Sequence, residues 1–377
     1  MDPIALAAAA LAIAATVLHI VTVLIAAARV HRPTGAAASP ALHGPAVTII
    51  RPLCGIDVYE NETLRSVFRL DHTDYEVILC VADQADPVIP LARAAIAAHP
   101  DVSARLLIGD DRISPNPKLN NVVKGWRAAR HDWIVIVDSN VLVPRDYIGR
   151  LLATWRADTG LVCAPPIGAL PVGFAAEIEC AFLNTYQARW QYAVDTLGFG
   201  FAQGKTMLWR RDDLQAAGGL AALAQEVAED AAATKVVREQ GRRVRLVDGP
   251  FPQPLGSRTL ASVWRRQLRW ARLRRASFPA CYAPEIFTGL TLPLTAALIA
   301  APALDLPPLG VATAMLIVWL GAEARLAAAA GWHLSWRSPI AWLARDLMLP
   351  VLWCAALAGS TFEWRGSAMR ATASANP

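Results

Sequence analysis

Two aspartates follow apolar segments that predict buried strands. Asp83 closes the segment YEVILCVAD, and Asp138 closes WIVIVD. At the carboxyl end of a buried strand in an α/β domain, a side chain points into the crevice where ligands bind. Carboxylate oxygens suit a hard divalent cation, which stabilises a diphosphate as a leaving group. Either aspartate alone could equally cap a helix or form a turn, so the prediction rests on the pair.

Two further segments carry charges that could take part in chemistry. Glu229 and Asp230 open a helical segment, where favourable electrostatics at a helix N-terminus is an alternative explanation. The segment LASVWRRQLRWARLRRAS (260–277) is rich in arginine, and helical spacing places Trp264 and Leu268 toward one side of it. A basic amphipathic helix beside apolar segments is typical of a membrane surface.

The elements that would position these residues lie between residue 46 and about residue 255. Four near-continuous apolar segments predict strands buried on both faces of a parallel sheet: AVTII (46–50), YEVILCV (75–81), ARLLIG (104–109) and WIVIVD (133–138). The intervening segments, such as 59–70 and 87–98, have helical periodicity. This alternation predicts an α/β domain with right-handed crossovers.

Apolar segments flank the α/β domain. The segment 3–28 carries no formal charge and exceeds the roughly 20 residues that span a bilayer. Arg29 and Arg32 follow it, and positive charge stays on the cytoplasmic side, so we expect an anchor whose C-terminal end is cytosolic. A cleaved signal peptide would have a basic region first and a shorter apolar core.

The C-terminal region predicts two or three further membrane segments, at roughly 286–304, 309–331 and 339–360. Prolines in the first of them predict a kinked or re-entrant segment. The other two contain Glu323 with Arg325 and Arg345 with Asp346. Charges inside a membrane span are costly and are usually paired or face a cavity. An intramembrane ion pair and a role at a lipid acceptor both stay open.

The predicted organisation is therefore an N-terminal anchor at 1–32, a linker at 33–45, a cytosolic α/β domain at 46–258, an interfacial helix at 259–280, a membrane region at 281–366 and a tail at 367–377. Composition agrees, since 55% of the residues are hydrophobic and only 18% are charged, which excludes a disordered chain and a coiled coil. The six cysteines show no zinc spacing and predict buried free thiols.

The ordered set of Asp83, Asp138, Asp230 and Arg266-x-x-Arg269-Trp270 resembles the D, D, D, (Q/R)xxRW pattern of inverting glycosyltransferases with the GT-A fold. Among these enzymes the chain is most similar to the ceramide glucosyltransferases. The segments that carry this resemblance lie within residues 46–366: RPLCGID (51–57), LDHTDYEVILCVADQADP (70–87), ARLLIGDDRISPNPKLNN (104–121), GFAAEIE (173–179), AGGLAALAQEVAEDAAATK (217–235), RQLRWARLR (266–274), LARDLMLPV (343–351) and FEWRG (362–366).

The resemblance implies a GT-A-type α/β domain with a mostly parallel sheet, transmembrane helices at both ends, and transfer of glucose from UDP-glucose to ceramide. It also implies roles for the three aspartates: Asp83 contacts the nucleotide, Asp138 holds Mg²⁺ or Mn²⁺ with the diphosphate, and Asp230 is the general base. By the same resemblance, the diphosphate is bound and the acceptor site is lined by Arg266, Arg269 and Trp270. The N-P-K-x-N-N loop at the nucleotide is formed by Lys118, Asn120 and Asn121. The expected location is a bacterial inner membrane, with the catalytic domain in the cytoplasm.

Several alternatives share part of this pattern. The same chemistry could act on a hopanoid polyol or on diacylglycerol. A processive polysaccharide synthase would have more membrane segments and a glutamine-first motif, and a silent membrane scaffold would be expected to lose Asp230. The net charge of +5 also suits nucleic acid, but the adjoining apolar segments make a lipid surface the better partner.

Overall fold

The computed structural model describes residues 2–31, 44–364 and 367–371. The predicted linker at 33–45 therefore lies outside the described residues except for residues 44 and 45. Residues 365–366 of the FEWRG segment and residues 372–377 of the predicted tail lie outside them as well.

Residues 47–163 form β-strands and α-helices in alternation, as the sequence predicts. The strands are β1 Val47–Leu53, β2 Tyr75–Val81, β3 Ser103–Ile108, β4 Trp133–Val137, β5 Thr159–Cys163, β6 Pro166–Val172, β7 Thr206–Arg210, β8 Arg243–Leu246, β9 Phe251–Ser257, β10 Thr361–Trp364 and β11 Ser367–Arg370. The α-helices are α1 Pro3–Val30, α2 Glu60–Ser66, α3 Val88–Ala97, α4 Pro117–Ala128, α5 Tyr147–Thr154, α6 Phe174–Ala181, α7 Arg189–Thr196, α8 Arg211–Ala216, α9 Leu220–Leu223, α10 Glu229–Glu239, α11 Leu260–Ser277, α12 Pro279–Tyr282, α13 Thr291–Ala300, α14 Pro308–Ala330 and α15 Ser338–Leu357; a π-helical segment, Phe182–Ala188, joins α6 to α7.

These elements divide into two compact units. The described part of the first, here called the sheet unit, comprises residues 44–169 and 194–256; that of the second, the helical unit, comprises residues 2–31, Leu170–Ala193, 257–364 and 367–371. The segment Leu170–Ala193 falls inside the predicted 46–258 domain but belongs to the helical unit. The physical reason is that α6, which it contains, packs along α15.

The sheet unit is built on a seven-stranded sheet with the order β3-β2-β1-β4-β7-β5-β8. The neighbours from β3 to β4 are parallel, and so are β5 and β8, whereas β7 runs antiparallel to both of its neighbours. The predicted mostly parallel sheet is thereby confirmed. Since β7 is antiparallel, its beginning lies beside the carboxyl end of β4, where Asp138 follows.

The core of the sheet unit consists of the apolar residues that the strand predictions contain. Every residue of β1 is buried, and all residues of β2 except Tyr75 are buried. Burial on both faces is what near-continuous apolar segments require of a parallel sheet with helices on either side. The prediction placed the end of β1 at residue 50, but the strand continues to Leu53, and the buried Arg51 donates through Nη2 to the carbonyl oxygens of Ser139 and Val141.

The helical unit contains three described helices that are long and apolar enough to cross a membrane: α1, α14 and α15. A fourth apolar segment is bent by 49° between residues 279–287 and α13. The bend precedes Pro293, one of the prolines from which the sequence predicts a kink. In this unit α1 packs against α13 and α14, and α15 packs against α6 and α11. The predicted membrane helices at both ends of the chain are confirmed.

Three of the four charges of α14 and α15 meet in a buried network. Arg345 donates to both carboxylate oxygens of Glu323, at 2.7 and 3.0 Å, and to Asp346 Oδ1 at 3.0 Å. Thr185 of the π-helical segment donates to the same carboxylate at 2.6 Å. Glu323 thus pairs with Arg345 rather than with its sequence neighbour Arg325, which is exposed. An intramembrane ion pair accounts for these charges.

A second buried contact in the helical unit explains the histidine inside α1. His19 stacks on Trp319 with ring centroids 4.0 Å apart, and its Nε2 lies 3.2 Å from the Trp319 carbonyl oxygen. A carbonyl only accepts, so Nε2 carries the proton and Nδ1 accepts from Arg189 Nη1 at 2.8 Å. His19 thus ties α1 to α14 and α7.

Replacing Arg345 is expected to destabilise the helical unit strongly. The Arg345→Met substitution would leave Glu323 as a buried charge without its main partner, which typically costs about 3–5 kcal/mol. Thermal unfolding of the purified protein in detergent would measure the loss. The control is Arg325→Met, an exposed arginine on α14 that should leave the midpoint unchanged. Equal unfolding midpoints for the two variants would contradict a structural role for the pair.

Candidate active site

Asp138 follows β4 in a loop that buried polar contacts hold in place. Arg51 on β1 is fully buried, and its Nη2 donates to the carbonyl oxygens of Ser139 and Val141, at 2.5 and 2.8 Å. Burial lowers the pKa of Arg51 to about 10, so the guanidinium still carries its charge at neutral pH. The Asp138 amide donates to the Lys205 carbonyl at 3.1 Å. The carboxylate therefore projects from a fixed backbone.

Two lysines bind the two oxygens of that carboxylate. Lys118 Nζ lies 2.7 Å from Asp138 Oδ1, and Lys205 Nζ lies 2.9 Å from Oδ2. Lys205 also donates to Asn140 Oδ1 at 3.0 Å. Burial would raise the pKa of Asp138, but the two lysines hold it well below its usual range. Asp138 is therefore an anion at any physiological pH.

Lys118 connects Asp138 to a second carboxylate. Its Nζ lies 2.7 Å from Glu229 Oε1, and it also donates to the Gly204 carbonyl. Burial opposes the charge on Lys118, but Asp138 and Glu229 raise its pKa above the ordinary value. We call Lys118, Asp138, Lys205 and Glu229 the lysine–carboxylate cluster. Its four formal charges cancel.

The start of α4 positions Lys118. Asn116 is the N-cap, and its Oδ1 accepts from the Lys118 and Leu119 amides at 2.9 and 3.2 Å. Pro117 follows at the first helical position, where its missing N–H is not needed. The Asn116 Nδ2 group donates to Glu229 Oε2 at 2.7 Å. One buried asparagine thus fixes both the helix that carries Lys118 and the carboxylate that Lys118 binds.

Gly204 lies against the cluster and leaves no space for a side chain. A Cβ at this position would lie 2.8 Å from Glu229 Oε1 and 3.2 Å from Lys118 Nζ. The Gly204 amide donates to Asp230 Oδ2 at 3.2 Å. The backbone around Gly204 therefore brings Asp230 beside the lysine–carboxylate cluster, and a Cβ at this position would displace the Glu229 carboxylate.

Asp230 is the second residue of α10, and its carboxyl group has the properties of a general base. Burial, and then the neighbouring Glu229 carboxylate, raise the pKa of Asp230 to about 6. Its hydrogen bonds come from two backbone amides, those of Gly204 and Ala231, at 3.2 and 2.9 Å. A carboxylate with a pKa near the working pH is ionised yet accepts a proton readily.

The two asparagines that are predicted to contact the nucleotide form hydrogen bonds with the protein backbone in this structure. Asn121 Nδ2 donates to the carbonyls of Leu53 and Cys80, at 3.2 and 2.9 Å, and so ties the end of β1 to β2. Asn120 Oδ1 accepts from the Ile113 and Ser114 amides, both at 3.0 Å. Asn120 thus shapes the loop before α4, whereas Asn121 holds the ends of two strands; contact of either side chain with a nucleotide stays a prediction.

Asp83 lies in the turn after β2, at the same edge of the sheet as Asp138. The two parallel strands that end there, β2 and β4, are separated by β1 alone. Asp83 is exposed, and its Oδ1 accepts from the Ala85 amide at 2.9 Å. The turn-forming explanation thus applies, and a nucleotide contact stays a prediction.

The surroundings of Asp138 do not fit a divalent cation as they stand. Among the described residues, no group of three or more His, Cys, Asp or Glu side chains could hold a metal ion. In the segment Asp138-Ser139-Asn140, the second oxygen donor is an amide, and Lys205 already binds it together with Asp138 Oδ2. Hard cations need several oxygen ligands, and here ammonium groups take those oxygens. The predicted Mg²⁺ or Mn²⁺ on Asp138 thus has no ligand set among these residues.

The (Q/R)xxRW motif lies on α11 in the helical unit. Arg266 Nη1 pairs with Glu179 of α6, and Arg258 approaches the same carboxylate at 3.7 Å. The buried residues Val263, Gln267 and Ala271 follow one another at intervals of four on one face, while Trp264 and Leu268, predicted toward one side, are only half-buried. Arg269 and Trp270 are half-buried as well; their predicted roles are not tested by these contacts.

Sequence reasoning missed three residues of the site: Asn116, Gly204 and Lys205. The cap could have been found, since asparagine before proline opens a helix at Asn116. Gly204 lies in the segment GFGFAQG (198–204), which contains no charged residue that could have indicated the site. Lys205 had no sequence signal, because it meets Asp138 only through the antiparallel pairing of β7 with β4.

Comparison with known protein families decides the classification. The sequence profile of glycosyl transferase family 21 matches residues 6–375, almost the whole chain. The chain belongs to this family. The resemblance to ceramide glucosyltransferases, based on the D, D, D and RxxRW residues, is thereby confirmed.

Curated relatives agree with the family. Ceramide glucosyltransferase 1 of Caenorhabditis elegans is 28% identical over 237 residues, which is 62% of this chain and 51% of that protein. Ceramide glucosyltransferase 3 of the same organism is 25% identical over 339 residues, or 86% of this chain and 72% of that protein. This family 21 chain thus spans about half of the length of the first relative.

A solved structure shares the fold. The mannosyltransferase PcManGT from Pyrobaculum calidifontis, in complex with GDP-Man and Mn²⁺, aligns with 93% of this chain and 98% of its own, at a TM-score of 0.52 and 20% identity. This likeness confirms the GT-A-type fold of the family 21 chain.

Proposed function

We propose that this family 21 chain is a membrane glycosyltransferase. In the proposed reaction it transfers glucose from UDP-glucose, with inversion, to the hydroxyl group of ceramide. The observation that carries the proposal is the half-buried Asp230 carboxyl group, with its raised pKa, beside the lysine–carboxylate cluster. Family membership and the ceramide glucosyltransferase relatives support the substrates.

The reaction needs one base and one stabilised leaving group. The acceptor hydroxyl oxygen attacks the anomeric carbon, the bond from that carbon to the β-phosphate oxygen of UDP breaks, and UDP leaves with the electron pair. The acceptor proton passes to Asp230. A single in-line displacement inverts the anomeric centre, and holding both reactants in line supplies a large share of the rate.

Positive charge close to Asp230 suits a departing diphosphate. Lys118 and Lys205 lie on Asp138 at the carboxyl end of β4, which is where α/β sheets bind their ligands. Charge-assisted hydrogen bonds from ammonium or guanidinium groups to phosphate are among the strongest in proteins. In this proposal the lysines offset the charge that develops on UDP.

The apolar helices in the same chain favour a lipid acceptor. Three long apolar helices and the bent segment before α13 belong to the same polypeptide, and α11 carries many arginines. A basic amphipathic helix of this kind binds favourably at the surface of an anionic bilayer. The charge after α1 favours a cytoplasmic catalytic domain, and a bacterial inner membrane is the proposed location.

The motif on α11 can be tested by one substitution. Arg269→Ala should lower kcat for transfer by about 10²-fold or more, because an arginine that stabilises developing charge is lost. Initial rates with UDP-glucose and ceramide would measure this. The matched control is Arg265→Ala, an exposed arginine on the same helix. If both variants keep the wild-type rate, Arg269 has no part in the reaction.

The proposed substrates are tested with a panel. Purified full-length protein in detergent would receive radiolabelled UDP-sugars, each with ceramide, diacylglycerol or a hopanoid polyol. The proposal expects a labelled lipid from UDP-glucose and ceramide at the highest rate. A product with another lipid alone would change the proposed acceptor but would leave the proposed catalytic residues unchanged. A complete absence of labelled lipid, despite UDP binding, would contradict the proposed activity.

A further inference from the structure

Lys205 is placed at the cluster by backbone pairing. β4 and β7 are antiparallel neighbours, with Val137 opposite Thr206, and the Asp138 amide continues the ladder to the Lys205 carbonyl at 3.1 Å. The position of Lys205 opposite Asp138 therefore follows from the sheet register. Its side chain is mostly buried, with 17% of its surface exposed.

The ammonium of Lys205 bridges the two oxygen donors that a divalent cation would need. Its Nζ lies 2.9 Å from Asp138 Oδ2 and 3.0 Å from Asn140 Oδ1. The other carboxylate oxygen of Asp138 binds Lys118 at 2.7 Å. A dication at this place would have to displace Lys205 and would then lie close to Lys118, a like charge in a poorly solvated site.

We infer that the Lys205 ammonium takes the place of a divalent cation in this protein, so that Lys205 and Lys118 bind the donor diphosphate and a metal ion is not required. This inference deepens the proposed function and rests on it for the identity of the donor. An ammonium donates several hydrogen bonds and has no strict coordination geometry. The Lys205 ammonium can therefore donate hydrogen bonds to Asp138 and to a phosphate oxygen at the same time.

The role of Lys205 leaves the balance of the reaction unchanged. The anomeric C–O bond to the diphosphate breaks, the bond to the acceptor oxygen forms, and the acceptor proton goes to Asp230. Lys205 and Lys118 stay protonated and offset the charge on the departing UDP. Asn140 is part of this arrangement, because a neutral amide in place of a second carboxylate leaves the cluster with matched charges.

Binding of UDP tests the inference without requiring turnover. Full-length protein in detergent would be treated with EDTA, and UDP affinity measured by calorimetry in EDTA and then in Mn²⁺. We expect the same affinity in both, and the same rate of transfer to ceramide. If EDTA abolishes UDP binding and Mn²⁺ restores it, the inference is overturned, whereas the proposed function stands. If UDP fails to bind under both conditions, the inference and the proposed function are both overturned.

A substitution adds a second readout. Lys205→Met should weaken UDP binding by about tenfold or more, the effect of one charge-assisted hydrogen bond, and should make binding respond to Mn²⁺, because the oxygens of Asp138 and Asn140 become available. Arg210→Met, at the exposed far end of β7, is the control and should bind UDP normally. Wild-type affinity in Lys205→Met would overturn the inference. If that variant does not fold, the EDTA comparison on the wild-type protein still decides. If the affinity for UDP is unchanged by EDTA but no lipid product forms, the result would support the inference and contradict the proposed function.

Discussion

Asp230→Asn is expected to lower kcat for transfer to ceramide by about 10²- to 10⁴-fold, the usual contribution of a general base. The amide keeps the shape of the carboxyl group and still accepts from the Gly204 amide, which lies 3.2 Å from Asp230 Oδ2. It cannot take up the acceptor proton. UDP affinity should therefore stay close to the wild-type value while turnover is lost.

The matched control for this substitution is Asp212→Asn. Asp212 is an exposed aspartate in the first turn of α8, in the same unit, so the change tests the loss of a helix N-terminal charge without touching the cluster. Its rate should equal that of the wild-type protein. A normal turnover number for Asp230→Asn would show that another group removes the proton.

The pH profile offers a second view of the same residue. Burial and the Glu229 carboxylate raise the pKa of Asp230 to about 6, although the nearby Lys118 opposes this. A base must be deprotonated to act, so kcat/KM should be constant well above pH 6 and should fall as the pH drops through about 6. The residual rate of Asp230→Asn should lack this inflection.

Lys118→Met is expected to have the second large effect, on stability and on transfer together. Lys118 binds Asp138 and Glu229, each at 2.7 Å, and both carboxylates lie in a buried region. Removing the shared cation leaves like charges facing each other, and breaking a buried ion pair typically costs about 3–5 kcal/mol. Thermal unfolding and UDP affinity should therefore both decline.

The control lies on the same helix. Arg127 near the end of α4 is exposed and pairs loosely with Asp111 at 3.6 Å, so Arg127→Met should change neither the unfolding midpoint nor UDP affinity. A Lys118→Met variant with unchanged UDP affinity would limit Lys118 to a structural role. An unchanged unfolding midpoint would contradict the buried charge pairs.

The elements of the sheet could be predicted from the sequence because their signal is local. Strands β2 and β4 coincide with their apolar segments almost residue for residue, since burial on both faces requires continuous apolar character. The helix after Asn116 and the helix that begins at Glu229 are likewise local patterns. The positions of Asp138 and Asp230 on these elements followed from the same reasoning.

The contacts between distant segments could not be predicted in this way. Lys205 contacts Asp138 because β7 pairs with β4 in an antiparallel register, and the hydrophobic periodicity of the sequence does not predict that register. Glu323 pairs with Arg345, 22 positions away in the sequence, instead of with the nearby Arg325. The segment Leu170–Ala193 belongs to the helical unit because α6 packs against α15. Each of these follows from tertiary packing.

Inverting transfer of glucose to a lipid hydroxyl is tested most directly by the structure of the product. Purified full-length protein would be incubated with UDP-glucose and ceramide in detergent, and the lipid product isolated for proton NMR. UDP-glucose carries an α-linked glucose, so a single displacement predicts β-glucosylceramide, with the large anomeric coupling of that configuration. An α-linked product, or no glucosylated lipid from protein that binds UDP, would contradict inverting transfer to ceramide.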